Sequence, residues 1–153
     1  MDTCIDNMQK YANYKEQFGR LKKSINGNFY LEAVFIEYAI IEDRLESVLR
    51  HSGKFNPKKH DKLNAKLNRI KEMQREKKGL TGKYFSEELI NDISQWKEQR
   101  NKLIHALMKQ ELHTEDLRAV ALHGQDIAKT VSSKTKSYNV AIAKKQLKET
   151  NNE

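Results

Sequence analysis

Residues 29–51 read "FYLEAVFIEYAIIEDRLESVLRH", a run without Pro or Gly in which Leu31, Val34, Phe35, Tyr38, Ile41, Leu45 and Leu49 recur at the spacing of one helix face. With Tyr38 at the centre of that stripe, Ile36 and Ile40 point away from it, so the first half of the helix is apolar nearly all round. A helix of this kind needs cover on two sides. Either the last helix of the chain wraps it or a second copy does, and both arrangements are bundles. "NGN" at 26–28 marks where it begins, and Gly53 follows it as a C′ residue able to take positive φ.

The rest of the chain reads as further helices. A first helix spans about Ile5 to Ser24, with a bend expected near Gly19. In "FNPKKHD", Asn56 is suited to cap and Pro57 to occupy the first position of a third, basic helix ending at Gly79. After "GLTGKYF", read as a helix stop and restart, Ser86 caps a fourth helix with Glu87 and Glu88 at its positive end, running to about Gln110. Thr114 caps a fifth, in which Leu117, Val120 or Ala121, Gly124, Ile127, Val131, Tyr138 and Ala141 or Ile142 follow a near-heptad spacing. Apolar positions end near Lys144, so residues 1–145 form one expected domain and 146–153 an expected disordered tail. One Pro and six Gly in 153 residues are too few for the turns of a sandwich or barrel. The predicted class is therefore all-α: an up-and-down bundle of about five helices with a long C-terminal helix.

The lone Cys4 has no partner for a disulfide within the chain, the first thirty residues lack a signal's apolar core, and no apolar run approaches a membrane span. Cytoplasm is the expected compartment, with no membrane partner. The net charge of +8 is uneven: residues 54–83 hold eleven Lys/Arg against three Asp/Glu, which accounts for the whole excess. Such a segment attracts polyanions, nucleic acid first among them, through Lys58, Lys59, Lys62, Lys66 and Arg69. A solvated basic helix is the plainer reading of the same residues.

Within "EQRNKLIHALM", residues 98–108, Arg100 sits at the centre of an apolar face made by Leu89, Ile93, Trp96, Leu103, Ile104 and Leu107, all within about 60° of it. A buried guanidinium needs an anion, a carboxylate or a cleft open to water. Glu42, about 40° from the stripe centre of the second helix, is the candidate carboxylate. Asn101, about 100° from Arg100, shares a face with His105 through the i,i+4 relation. Histidine can exchange a proton near neutral pH, and arginine can hold phosphate oxygens through its planar fork. Two readings stay open at this point: a phosphate site, or an Arg100–Glu42 ion pair that sets helix register.

"RNKLIH" on the fourth helix of a small helical chain resembles the signature of the HEPN superfamily, in which an arginine and a polar residue precede a histidine by about one turn. Arg100, Asn101 and His105 match it. The resemblance implies a helical bundle, usually a homodimer, whose paired Arg and His residues cut RNA in a composite cleft without a metal or other cofactor. It also implies a toxin or host-defence setting, with an antitoxin or a nucleotidyltransferase as a further partner. The expected products are a 2′,3′-cyclic phosphate and a 5′-hydroxyl. His105 would move the proton, Arg100 would stabilise phosphate charge, and Asn101 would orient substrate or His105. The rival class is a non-catalytic dimerisation or adaptor module.

Arg118 and His123 repeat the spacing, but Ala119 stands where the polar residue belongs. "GLTGK" lacks the spacer and preceding strand of a phosphate-binding loop. His51, His60, His113 and His123 have no HxxxH, HExxH or cysteine companion and read as surface or capping residues.

Overall fold

The computed structural model describes residues 7–109 and 112–152, so Cys4, Ile5 and Gln110, named above, lie outside the described residues. Among the described residues the chain is all-helical: α1 (Asn7–Asn26), α2 (Tyr30–His51), α3 (Leu63–Gln74), the single turn α4 (Thr81–Tyr84), α5 (Glu87–Met108) and α6 (Thr114–Thr150). No described helix is long and apolar enough to cross a membrane.

α2 lies at the centre and packs against α1, α3 and above all α6. Leu21 of α1, Leu67 and Ile70 of α3, Ile93 and Trp96 of α5, and Val131 and Tyr138 of α6 join its buried face in one core. The last helix thus supplies the second cover that α2 needs. α6 runs parallel to α2, because Thr135 bonds to the Arg44 carbonyl, Asn139 to Ser47 and Gln146 to the His51 carbonyl in ascending order. α5 is antiparallel to α6, with Trp96 Nε1 donating to the Val120 carbonyl at 3.1 Å and His123 Nε2 lying 2.7 Å from Asp92. The near-heptad reading of the fifth helix holds on α6: Val120, Ala121, Gly124, Ile127, Val131 and Tyr138 are buried.

The stripe of α2 is rotated from its expected position. Its buried side runs through Ala33, Val34, Glu37, Ile40, Ile41, Leu45 and Val48, while Tyr38 is half-buried and Phe35 is 52% exposed. The centre is Glu37, an acidic residue that the apolar stripe centred on Tyr38 leaves out. Its carboxyl oxygens are buried and have no hydrogen-bond partner among the described residues. Burial, with the negative Asp126 nearby, pushes its pKa up to about 9, so at neutral pH it is a neutral carboxyl. Gly124 makes room for it: a Cβ there would lie 2.2 Å from Glu37 Oε1 and 2.5 Å from Trp96 Nε1.

Several helix ends follow local chemistry as expected. Ser86 Oγ accepts from Leu89 N at 3.1 Å, and Gly53 takes φ 71° after α2. Others differ. In "NGN" it is Asn28 that adopts the left-handed φ of 61°. Asn56 and Pro57 open an isolated turn, with Asn56 Oδ1 accepting from Lys58 N, and α3 begins only at Leu63, the first buried apolar residue after it. α3 stops at Gln74 instead of Gly79, and His113, not Thr114, occupies the cap position of α6 without a side-chain bond. α6 continues to Thr150, although every side chain from Ala143 to Asn152 is exposed.

Two outcomes follow from the Glu37 contact. Gly124→Ala should destabilise the chain by about 1–3 kcal/mol through overpacking, instead of the gain of about 1 kcal/mol usual for replacing a mid-helix glycine; urea unfolding measures it. The folded chain holds the Glu37 proton more tightly than the unfolded one, so its stabilisation is full below the unfolded pKa of 4.5 and is lost as pH rises through about 9. Stability should fall between pH 5 and pH 9 by up to about 1.4 kcal/mol per unit, and Glu37→Gln should flatten that slope in denaturation curves taken across the range.

Candidate functional site

Arg100 lies just past the point where the burial of α5 ends. Ile90, Ile93 and Trp96 are buried, whereas Arg100, Ile104 and Leu107 are half-buried and Met108 is 87% exposed. The guanidinium carbon of Arg100 stands 4.1 Å above the ring centre of Tyr38 and 5.9 Å from that of Phe35, both from α2. A cation over aromatic faces is worth about 0.5–2 kcal/mol. The arginine in the stripe is therefore held by aromatic rings, and no carboxylate pairs with it among the described residues.

Its Nη1 donates to Asn101 Oδ1 at 3.1 Å, and its Nε is buried with no hydrogen-bond partner among the described residues. A guanidinium has five N–H donors, so most of its capacity is unspent. His105 is exposed on the same helix and has no hydrogen bond or ion pair among the described residues. Arg100 and Asn101 are thus in contact, with His105 one helical turn beyond Asn101.

Glu42 corrects the ion-pair expectation. Its Oε1 accepts from Lys66 Nζ at 2.8 Å, and Glu46 Oε2 lies 2.9 Å from the same ammonium. Lys66 is in turn the correction to the RNA-binding set: it is buried and faces α2 instead of solvent. Burial works against its charge, but hydrogen bonds to Glu42 and Glu46 outweigh that and raise its pKa. Burial likewise opposes ionisation of Glu46, yet its bonds to Lys66 and Arg50 bring its pKa below the usual value.

The remaining expected RNA ligands are spread out. Lys58 and Lys59 lie exposed in the turn before α3, Lys62 is exposed at its cap position, and Arg69 is half-buried and bonded to Glu72 at 2.7 Å. The basic excess belongs less to α3 than to its flanks, where Lys54, Arg75, Lys77, Lys78 and Lys83 are also exposed. Of the histidines set aside, His123 pairs with Asp92, His60 accepts from Asn56 N at 2.9 Å, and His51 Nδ1 donates to the Ser47 carbonyl at 2.8 Å. Among the described residues no three His, Cys, Asp or Glu side chains are grouped to hold a metal ion.

Sequence reading missed the aromatic seat of Arg100. Tyr38 and Phe35 were visible as apolar residues of α2, but helix periodicity does not say which residue of a neighbouring helix lies at the same height. Comparison with protein-family models, curated proteins and solved structures yields no match for the chain.

Lys66→Met should cost about 1–3 kcal/mol, less than for a sealed ion pair because Glu42 and Glu46 each keep about a quarter of their side-chain surface in water. Thermal unfolding with and without Glu42→Gln checks it, the double variant being expected to recover part of the loss.

Proposed function

We propose that the chain is a metal-independent endoribonuclease of the kind its "RNKLIH" motif resembles, acting as a homodimer. One observation carries the reading: a half-buried arginine with no carboxylate, seated on Tyr38 with donors to spare, next to Asn101 and near an exposed histidine. A phosphate diester is an anion that suits such a fork.

The 2′-hydroxyl attacks the adjacent phosphorus, a new P–O2′ bond forms, and the P–O5′ bond breaks. His105 of one copy takes the 2′ proton, and the same residue of a second copy gives a proton to the departing 5′ oxygen. Arg100 holds the charge that gathers on the non-bridging oxygens, and the Asn101 carbonyl oxygen fixes the guanidinium in place. The pairing of two copies is supported by the apolar surface around the site, where Phe35 and Met108 are exposed and Ile104 and Leu107 half-covered. The exposed lysines flanking α3 supply affinity for the RNA backbone without reading its sequence. A toxin or defence role, with an antitoxin or nucleotidyltransferase as partner, belongs to the same reading, as does a cytoplasmic location.

End-labelled RNA incubated in EDTA should be cut to 2′,3′-cyclic phosphate ends, and His105→Ala should slow cleavage by about 100-fold or more. Arg100→Ala should do the same while DNA stays intact. Unchanged cutting in both variants would assign the activity to a contaminant, and absence of cutting across structured and unstructured RNAs would favour the non-catalytic adaptor.

A further inference from the structure

A second site of different character lies where α1 diverges from the bundle. Of α1 only Leu21 and Ser24 are fully buried, both in its C-terminal part, so its N-terminal half leaves a wedge against α2 and α6. The wedge holds a cavity of about 570 Å³, within the range of small-ligand sites. It shares no residue with the Arg100 site, and Ser47 in its wall is about 13 Å further along α2 than Tyr38 at 1.5 Å per residue.

Its walls carry a particular mixture of groups. Lys10 from α1, Arg44 from α2 and Lys136 from α6 all line it. Arg44 is fixed: its Nε donates to Tyr14 Oη at 2.6 Å, and Tyr14 in turn donates to Asp43. Tyr11 and Phe18 add aromatic surface, Tyr11 being 70% exposed. On α6, Ser132 Oγ and Asn139 Oδ1 are both buried with no hydrogen-bond partner among the described residues. Asn139 spends its amide N–H on Ser47 Oγ at 3.0 Å, so its oxygen needs a donor from elsewhere. Two such unsatisfied atoms in one wall are costly to the fold unless something bonds them.

We propose that this cleft binds a free nucleoside phosphate. The lysines meet the phosphate, the rings of Tyr11 and Phe18 meet the base, and Asn139 Oδ1 accepts from a ribose hydroxyl or a base amino group. Because His51 Nδ1 already donates to a carbonyl, its Nε2 remains to accept from a second hydroxyl. A plain anion would leave the rings and Asn139 unused, and a plain nucleoside would leave the lysines unused. The inference goes beyond the nuclease reading and does not depend on it.

The test is fluorescence anisotropy of the full chain with ADP carrying a fluorophore linked at adenine C8, which leaves the ribose hydroxyls and the amino group free. Binding should saturate, unlabelled ADP and AMP should displace the probe, and adenosine or inorganic phosphate at equal concentration should not. Lys10→Ala/Lys136→Ala should weaken binding at least tenfold with an unchanged circular-dichroism melt, both residues being on the rim. His105→Ala should leave binding as it was, which separates this site from the nuclease reading. The proposal is overturned by absence of saturable binding, by equal affinity in the double variant, by loss of binding in His105→Ala, or by displacement with adenosine as effective as with ADP.

Discussion

The structure depends on one close approach: α6 lies against α2 and α5 at Gly124, a position where any side chain would run into Glu37 and the Trp96 indole. From that point α6 follows α2 in parallel, burying a further apolar or small residue at each turn as far as Tyr138. Trp96 and Asp92 tie α5 to the same helix through Val120 and His123. The height of α5 against α2 is therefore set from α6, and with it the position of Arg100 over Tyr38. A neutral carboxyl at the centre of this contact makes the packing possible, since an ionised Glu37 without a hydrogen bond would cost far more than the surrounding apolar contacts return.

Periodicity recovers the elements and fails on what they touch. The α6 stripe was legible because its core positions are small or apolar and its outward ones charged, so spacing and chemistry agree. On α2 they disagree. Glu37 is charged by name but protonated by environment, so a stripe drawn through apolar residues alone leaves it out and centres the helix on Tyr38. Lys66 shows the same effect with the opposite sign, counted into a basic surface because nothing local reveals the Glu42 and Glu46 carboxylates that draw it inward. Helix ends divide along similar lines: the Ser86 cap and Gly53 rely on their own side chain or lack of one, whereas the start of α3 waits for a residue, Leu63, that the core can bury.

The candidate site was legible as a group of residues but not as a setting. Arg100 and Asn101 adjoin along one helix, and that much follows from sequence alone. What supports the guanidinium comes from another helix, and the azimuth of a residue about its own axis carries no information about height on a neighbour. The choice between ring and carboxylate matters chemically. A bidentate carboxylate would occupy the donors that a phosphate needs and neutralise the charge, while an aromatic face holds the cation by its π cloud and leaves the in-plane N–H groups free.

The same distinction separates the two kinds of positive surface on this chain. The lysines flanking α3 are exposed and lie mostly outside the helix itself, so their field concentrates polyanions without selecting among them. The wedge between α1, α2 and α6 holds fewer cations, but its lining also includes aromatic rings and buried atoms without partners among the described residues. Attraction alone needs only charge. Selection needs groups with bonding capacity left over, and among the described residues two such places lie where packing opens: at Arg100, beyond the last buried turn of α5, and at Ser132 and Asn139, where α1 departs from its neighbours.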